Sequence, residues 1–417
     1  MKWPNTISLG LSFSACALAQ QASAYFAQTT IPWAPKQAHS VDQSTVYNNT
    51  YYLADRTNAG IHVIDLHNNT QTDLITGFKT TVVNGSISSS NSGPDGLVVI
   101  TGTNELWVGD GGGYVQIIDL FTNRIVANIS TGSQARADEF AYDPTTGTVV
   151  VTNPNEKPPY VTVMNAHNRS VIGHIKFTDA PGELEQPVFN AANGRFYVSV
   201  PESDANPGGE IRRLDVQTLM GDAVYPLPEC VPAGIIFGTN QKMLVSCSQT
   251  QILKYNHSTA YVLDIANAGK VVANISGLSG SDQVAYDPVA GLWYMSAYQN
   301  LAGGMASGAP APALGVVNAS SYALIQTIPT DNSTAHSVAV NSVTGDVYVP
   351  ISAKGIVVYA LNATTTNTST GNATSGAYPS SSASAQMTSA ATSNRAAATF
   401  GMLASLSALV AGCTLLL

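Results

Sequence analysis

From Ser40 to Leu361 the chain alternates apolar and polar residues in short runs broken by Asn, Asp and Gly, and the same unit returns about seven times. One copy reads Asp138-Glu139-Phe140-Ala141-Tyr142, then Gly147-Thr148-Val149-Val150-Val151; another reads Asp282-Gln283-Val284-Ala285-Tyr286, then Gly291-Leu292-Trp293-Tyr294-Met295. A period of two places alternate side chains on opposite faces, so each run predicts a half-buried strand and each Asn/Asp/Gly group a turn. A third strand ends near Ile-Asp, as in Gly113-Tyr114-Val115-Gln116-Ile117-Ile118-Asp119, and Arg124 to Ile129 supplies a fourth.

With the second strand as marker, the copies fall at Tyr52, Trp107, Val150, Tyr197, Leu244, Tyr294 and Tyr348, spaced 55, 43, 47, 47, 50 and 54 residues apart. Four short strands in roughly 40 to 50 residues are the period of a β-propeller blade. The sequence therefore predicts an all-β, seven-bladed β-propeller. The last copy stops after its third strand at Leu361, while Phe26 to Pro32 reads as a fourth strand with no copy of its own. This N-terminal strand is expected to complete the last blade, closing the ring with no long edge left unpaired.

The flanks read differently. Met1 to Ala24 carries Lys2, an apolar run from Ile7 to Ala19 and the small-residue site Ala22-Ser23-Ala24, the pattern of a cleaved secretory signal (1–24). The propeller is expected over 25–362, a Ser/Thr-rich stalk over 363–394, and an uncharged apolar terminus over 395–417. A small-residue site at Ser389, or at Ser393 or Asn394, followed by that terminus is the pattern of a removed glycolipid (GPI) attachment signal, which anchors a chain to a membrane without a spanning helix. The expectation is an extracellular, cell-surface protein attached to the plasma membrane or cell wall.

Twelve Asn-x-Ser/Thr sequons fit that path: Asn48, Asn68, Asn84, Asn128, Asn168, Asn256, Asn274, Asn318, Asn332, Asn362, Asn367 and Asn372. Of the four cysteines, Cys16 lies in the signal and Cys413 in the tail. Cys230 precedes the first strand of the fifth copy and Cys247 ends the second, so an antiparallel pair predicts one disulfide between them. A net charge of −9 with only 17 Lys and Arg argues against nucleic acid.

Propellers hold ligands in the central funnel, where the innermost strands begin. Aligning the copies puts His39, Asp95, Asp138, Glu185, Ala233, Asp282 and His336 at that mouth. Closure would make His39 and His336 neighbours flanked by Asp95 and Asp282, a set suited to a divalent cation, Ca or Zn, with Glu185 or Asp138 as base. The opposing reading is structural: residues repeated in every blade serve to lock strand ends and loops. Gly109-Asp110-Gly111-Gly112-Gly113 reads as a tight loop because no helix follows it, and Trp107, Tyr197, Trp293 and Tyr348 read as packing between blades.

The repeat resembles the YVTN family of β-propellers, most closely at Val150-Val151-Thr152-Asn153 and Tyr197-Val198-Ser199-Val200. With its flanks, the chain resembles a GPI-anchored, fungal-type cell-surface protein. The resemblance implies either a surface module that engages glycans, a small molecule or a protein at the funnel face, or a metal-assisted, lactonase-like hydrolase or isomerase. The binding module is the preferred reading, because no catalytic motif is matched residue by residue.

Overall fold

The computed structural model describes residues 24–331 and 336–361. The expected signal peptide, the sequons Asn332, Asn362, Asn367 and Asn372, the stalk and the GPI signal lie outside these residues. Seven four-stranded antiparallel sheets form the blades of a propeller. Their innermost strands are Val41–Tyr47, Leu97–Ile100, Phe140–Asp143, Pro187–Asn190, Pro232–Phe237, Val284–Asp287 and Ala339–Asn341, and these define blades 1 to 7.

The ring closes as the sequence predicts. Tyr25–Ile31 is the outermost strand of blade 7 and pairs with Gly355–Leu361, Tyr25 opposite Leu361 and Ile31 opposite Ile356. Tyr25 also ties this strand to blade 6. Its backbone N–H donates to Gln326 Oε1 at 2.7 Å, its carbonyl accepts from Gln326 Nε2 at 2.8 Å, and its hydroxyl lies 2.7 Å from that of Tyr294.

Each marker residue is the third residue of its second strand, from Tyr52 in Thr50–Asp55 to Tyr348 in Asp346–Ile351. Such an invariant phase decides where the core sits. The described buried apolar residues form seven clusters, each joining two neighbouring blades. Trp107 of blade 2 packs with Val149 and Val151 of blade 3, Tyr197 of blade 4 with Ile235 of blade 5, and the Tyr51 ring of blade 1 lies 5.4 Å from that of Tyr348 in blade 7. Burying an aliphatic or aromatic side chain contributes about 1.5 to 3 kcal/mol, so the blade interfaces supply most of the cohesion.

The Asp or Asn that ends the third strand has a local cause. Asp65, Asp119, Asn165, Asp215 and Asn318 each accept, through the side-chain oxygen, the backbone N–H two residues on, at 2.8–3.0 Å. This Asx geometry starts the turn into the fourth strand on the face opposite the funnel mouth. Within Gly109–Gly113, Gly109 and Asp110 end the strand Glu105–Asp110 and Gly111 to Gly113 form the expected tight loop into Tyr114–Asp119, with Asp110 Oδ1 accepting from the N–H groups of Lys79 and Gly111.

Cys230 and Cys247 form the predicted disulfide, with Cα atoms 5.0 Å apart. It ties the entry of blade 5 to the end of that blade's second strand, where the short helix Gln249–Tyr255 begins. Of the eight described sequons, Asn48, Asn68, Asn84, Asn128, Asn168, Asn256 and Asn274 are exposed and Asn318 is half-buried.

Candidate functional site in the central funnel

The pairing register identifies the mouth residues without ambiguity. The fourth residue of the second strand pairs with Leu97 in blade 2, Phe140 in blade 3, Pro187 in blade 4, Ile235 in blade 5, Val284 in blade 6 and Ser44 in blade 1. Two residues earlier stand Asp95, Asp138, Glu185, Ala233, Asp282 and, in blade 1, Asp42; His336 is the blade 7 counterpart.

Six of the seven expected mouth residues therefore hold their phase, and His39 does not. It is exposed, three residues before Asp42 and outside the funnel lining, and its N–H donates to Thr57 Oγ1 at 2.9 Å. The physical reason is the hairpin between the first two strands: Tyr47 pairs with Thr50 across a two-residue turn, where Asp143 of blade 3 pairs with Thr148 across four, so the mouth residue of blade 1 stands closer in sequence to its second strand. His39 and His336 are thus not a pair. His336 Nδ1 instead lies 2.7 Å from Asp282 Oδ2, with the Tyr298 ring 4.2 Å from the imidazole.

A second layer lies one residue deeper: Gln43, Gly96, Glu139, Gln186, Gly234, Gln283 and Ser337. Here the structural role foreseen for the ring is performed. Gln43 Nε2 donates to Glu139 Oε1 at 3.2 Å while its Oε1 accepts from Leu97 N at 3.0 Å, joining blades 1, 2 and 3. Gln186 Oε1 accepts from Ile235 N at 3.1 Å, Gln283 Nε2 donates to Asp42 Oδ1 at 3.2 Å, and the hydroxyls of Ser44 and Ser337 meet at 2.6 Å. Blades 2 and 5 carry glycine because the next blade passes too close. A Cβ on Gly96 would lie 2.2 Å from the Asp138 carbonyl oxygen, and one on Gly234 would lie 2.1 Å from that of Asp282.

Above these layers the mouth opens into a cavity of about 500 Å³ lined by residues from several blades. Six carboxylates line it, Asp42, Asp138, Glu139, Glu183, Glu185 and Asp282, with Asp95 just behind; they face two guanidiniums, Arg56 and Arg136, and one imidazole. Arg56 donates from Nε to Asp95 Oδ1 at 2.6 Å and through its terminal nitrogen to Asp42. Arg136 pairs with Asp138 at 2.6 Å and reaches Glu183 at 3.8 Å. The wall from blade 5 is neutral, made by Val231, Pro232, Ala233, Ser248 and Thr250.

Titration follows from this crowding. Burial pushes the Asp95 carboxyl up to about 7 against the pull of Arg56 and Arg136. Burial likewise raises Asp138, against Arg136. Glu139 and Glu185 stand well above the usual carboxylate range, first through burial and then through neighbouring carboxylates. Asp282 moves the other way: burial raises it, but the hydrogen bond to and charge of His336, with Arg136 and Arg56, outweigh burial and hold it below its ordinary value.

Among the described residues, the group whose ligand atoms lie close enough to converge on a metal is Asp42, Asp95 and Asp138, all buried. His39, His336 and Asp282 are not part of it. Arg56 already donates to two of its three carboxylates, so with the guanidinium in place the set does not fit a metal ion as well. Arg136, Glu139, Glu183 and Tyr298 were not among the expected site residues; the Gln/Glu that follows the mouth residue in blades 1, 3, 4 and 6 was the available signal.

No known family matches the chain, and no curated protein matches it in sequence. Its fold is similar to that of a chain of Kuenenia stuttgartiensis hydrazine synthase, with TM-score 0.62 and 10% identity over 78% of this chain and 96% of that one. At that identity the likeness concerns the propeller fold alone. The protein is a seven-bladed β-propeller with a charged central funnel.

Proposed function

We propose that this protein is an extracellular, cell-surface propeller that binds a polar ligand in its central funnel. The observation that carries the reading is the funnel itself: a cavity of about 500 Å³, within the size range of small-molecule sites, where charged and titratable side chains from several blades converge. Its YVTN-like repeats, secretory-type N-terminus, GPI-type C-terminus, disulfide and exposed sequons support placement outside the cell as an N-glycosylated, membrane-anchored protein. Glycans, small molecules and protein segments remain the classes of partner for the mouth.

A second reading, metal-assisted hydrolysis or isomerisation of lactone type, draws on the Asp42, Asp95 and Asp138 group. Arg56 stands against it, because a cation bound there would have to displace a guanidinium from two carboxylates. Binding is the better supported of the two.

The test is an array of glycans and small molecules probed with full-length protein, wild type against an Arg136→Gln/Tyr298→Ala mouth variant and a Phe121→Ser variant on the opposite face. The reading expects binding that the mouth variant loses and the other keeps. Binding unchanged in the mouth variant would overturn it. Release from cells by a phosphatidylinositol-specific phospholipase checks the anchor separately.

A further inference from the structure

Among the described residues, two carboxylates that line the funnel, Glu139 and Glu185, form no ion pair. Glu139 is 4% exposed, lines the cavity, and uses Oε1 to accept from Gln43, while its buried Oε2 has no hydrogen-bond partner. Glu185 lines the same cavity from the next blade; burial, and then Asp282, Glu183 and Asp138, raise its proton affinity against the pull of Arg136. An orphaned buried carboxylate oxygen costs stability unless something satisfies it. Seven carboxylates set against two guanidiniums and an imidazole leave the cavity short of positive charge on this side.

The geometry also selects among cations. Glu139, Glu185 and Asp282 do not form a group whose ligand atoms all approach within 4.8 Å, whereas the group that does so already holds Arg56. A single metal ion needs several oxygens at about 2.0 to 2.6 Å, so the unpaired carboxylates are too spread to share one. An ammonium or guanidinium group, with N–H donors directed over several ångströms, suits spread acceptors. The neutral blade 5 wall of Val231, Pro232 and Ala233, with the Ser248 and Thr250 hydroxyls, gives an uncharged body somewhere to rest.

We infer that the funnel takes a small organic cation, its ammonium or guanidinium head between Glu139 and Glu185 and its uncharged, hydroxyl-bearing or short aliphatic body against blade 5. This rests on the reading of the funnel as a ligand site. Burial and neighbouring carboxylates raise the proton affinity of Glu139 and Glu185, and a bound cation lowers it. Glu139 is surrounded by Asp138, Glu185, Asp282 and Arg136; Glu185 is surrounded by Asp282, Glu183, Asp138 and Arg136. Affinity therefore rises with pH across the range in which these two glutamates ionise, and binding releases protons below it.

Isothermal titration of the full-length protein in a nonionic detergent tests this with matched probes: glucosamine against N-acetylglucosamine, 1,4-diaminobutane against 1,4-butanediol, and calcium chloride. The charged member of at least one pair should bind one to one and its neutral partner at least tenfold more weakly, with heats that, at the pH where affinity is rising, differ between phosphate and MES buffers by the proton released. Glu139→Gln and Glu185→Gln should each weaken binding at least tenfold, and Glu202→Gln on the outer loop should not. The comparison of probes on the wild-type protein holds even if a variant fails to fold. Equal binding of charged and neutral members, no binding of any probe, or calcium binding indifferent to both glutamates would overturn the inference. An uncharged ligand lost in the mouth variant would leave the funnel reading standing while this one fell.

Discussion

Asp95→Asn isolates one titration at the heart of the funnel. Asp95 is 0% exposed, its Oδ1 accepts from Arg56 at 2.6 Å, and its Oδ2 is unpaired. Its pKa rises from 3.8 to about 7 because burial outweighs the two guanidiniums. A group whose pKa is raised by folding favours the folded state at pH below its unfolded value and loses that contribution as pH rises through the folded value. At about 1.4 kcal/mol per unit, a shift of roughly 3 units amounts to about 4 kcal/mol lost between about pH 4 and pH 8.

Asparagine is nearly isosteric, still accepts from Arg56 and does not titrate, and Arg56 keeps Asp42. The variant should match wild type near pH 4.5 and exceed it by up to about 4 kcal/mol at pH 8, a rise in melting temperature of about 6 °C for a domain of this size. Glu139 and Glu185 titrate in both proteins, so the difference between the two curves belongs to Asp95. Scanning calorimetry at half-unit steps from pH 4.5 to 8 makes the measurement. Parallel curves would refute the reasoning. So would a loss of about 3 to 5 kcal/mol at every pH, the usual cost of breaking a buried ion pair.

The remaining predictions concern the frame. Gly96→Ala places a Cβ 2.2 Å from the Asp138 carbonyl oxygen, a backbone atom that cannot swing away, so it should destabilise the protein by about 3 kcal/mol and shift the blade 2 and blade 3 resonances in NMR spectra; a variant as stable as wild type would count against the close approach. Removing the disulfide with Cys230→Ser/Cys247→Ser opens a loop with sequence separation 17 and should cost about 3 kcal/mol in denaturant unfolding, with the funnel otherwise intact. Tyr294→Phe leaves the Tyr25 hydroxyl only its 3.2 Å bond to the Gly345 carbonyl and should cost about 1 kcal/mol, seen as faster hydrogen exchange in Tyr25–Ile31 before the rest of the ring.

How far the sequence carries is visible at single positions. Tyr52, Trp107, Tyr197 and Tyr348 share one phase because each blade buries the same side of its second strand against a neighbour, and burial is what alternation records. The disulfide was legible for the same reason: knowing the strands places Cys230 and Cys247 side by side. The mouth of blade 1 was misjudged because His39-Ser40-Val41 repeats the letters of His336-Ser337-Val338, while the two-residue turn Asn48-Asn49 places the true counterpart, Asp42, closer to the second strand. Turn length, rather than a matching triplet of letters, decides which residue reaches the mouth. Arg136 and Tyr298 come from connecting loops rather than the repeat, so their convergence with Glu139 depends on closure of the ring, which no local pattern contains.

A crystal structure of the protein soaked with 1,4-diaminobutane decides whether the funnel is a cation-accepting ligand site. Density is expected for an ammonium group within hydrogen-bond distance of Glu139 Oε2 and Glu185, with Arg56 still on Asp42 and Asp95. An empty funnel with diamine only at the surface, or Arg56 displaced by an ion held among Asp42, Asp95 and Asp138, would contradict it.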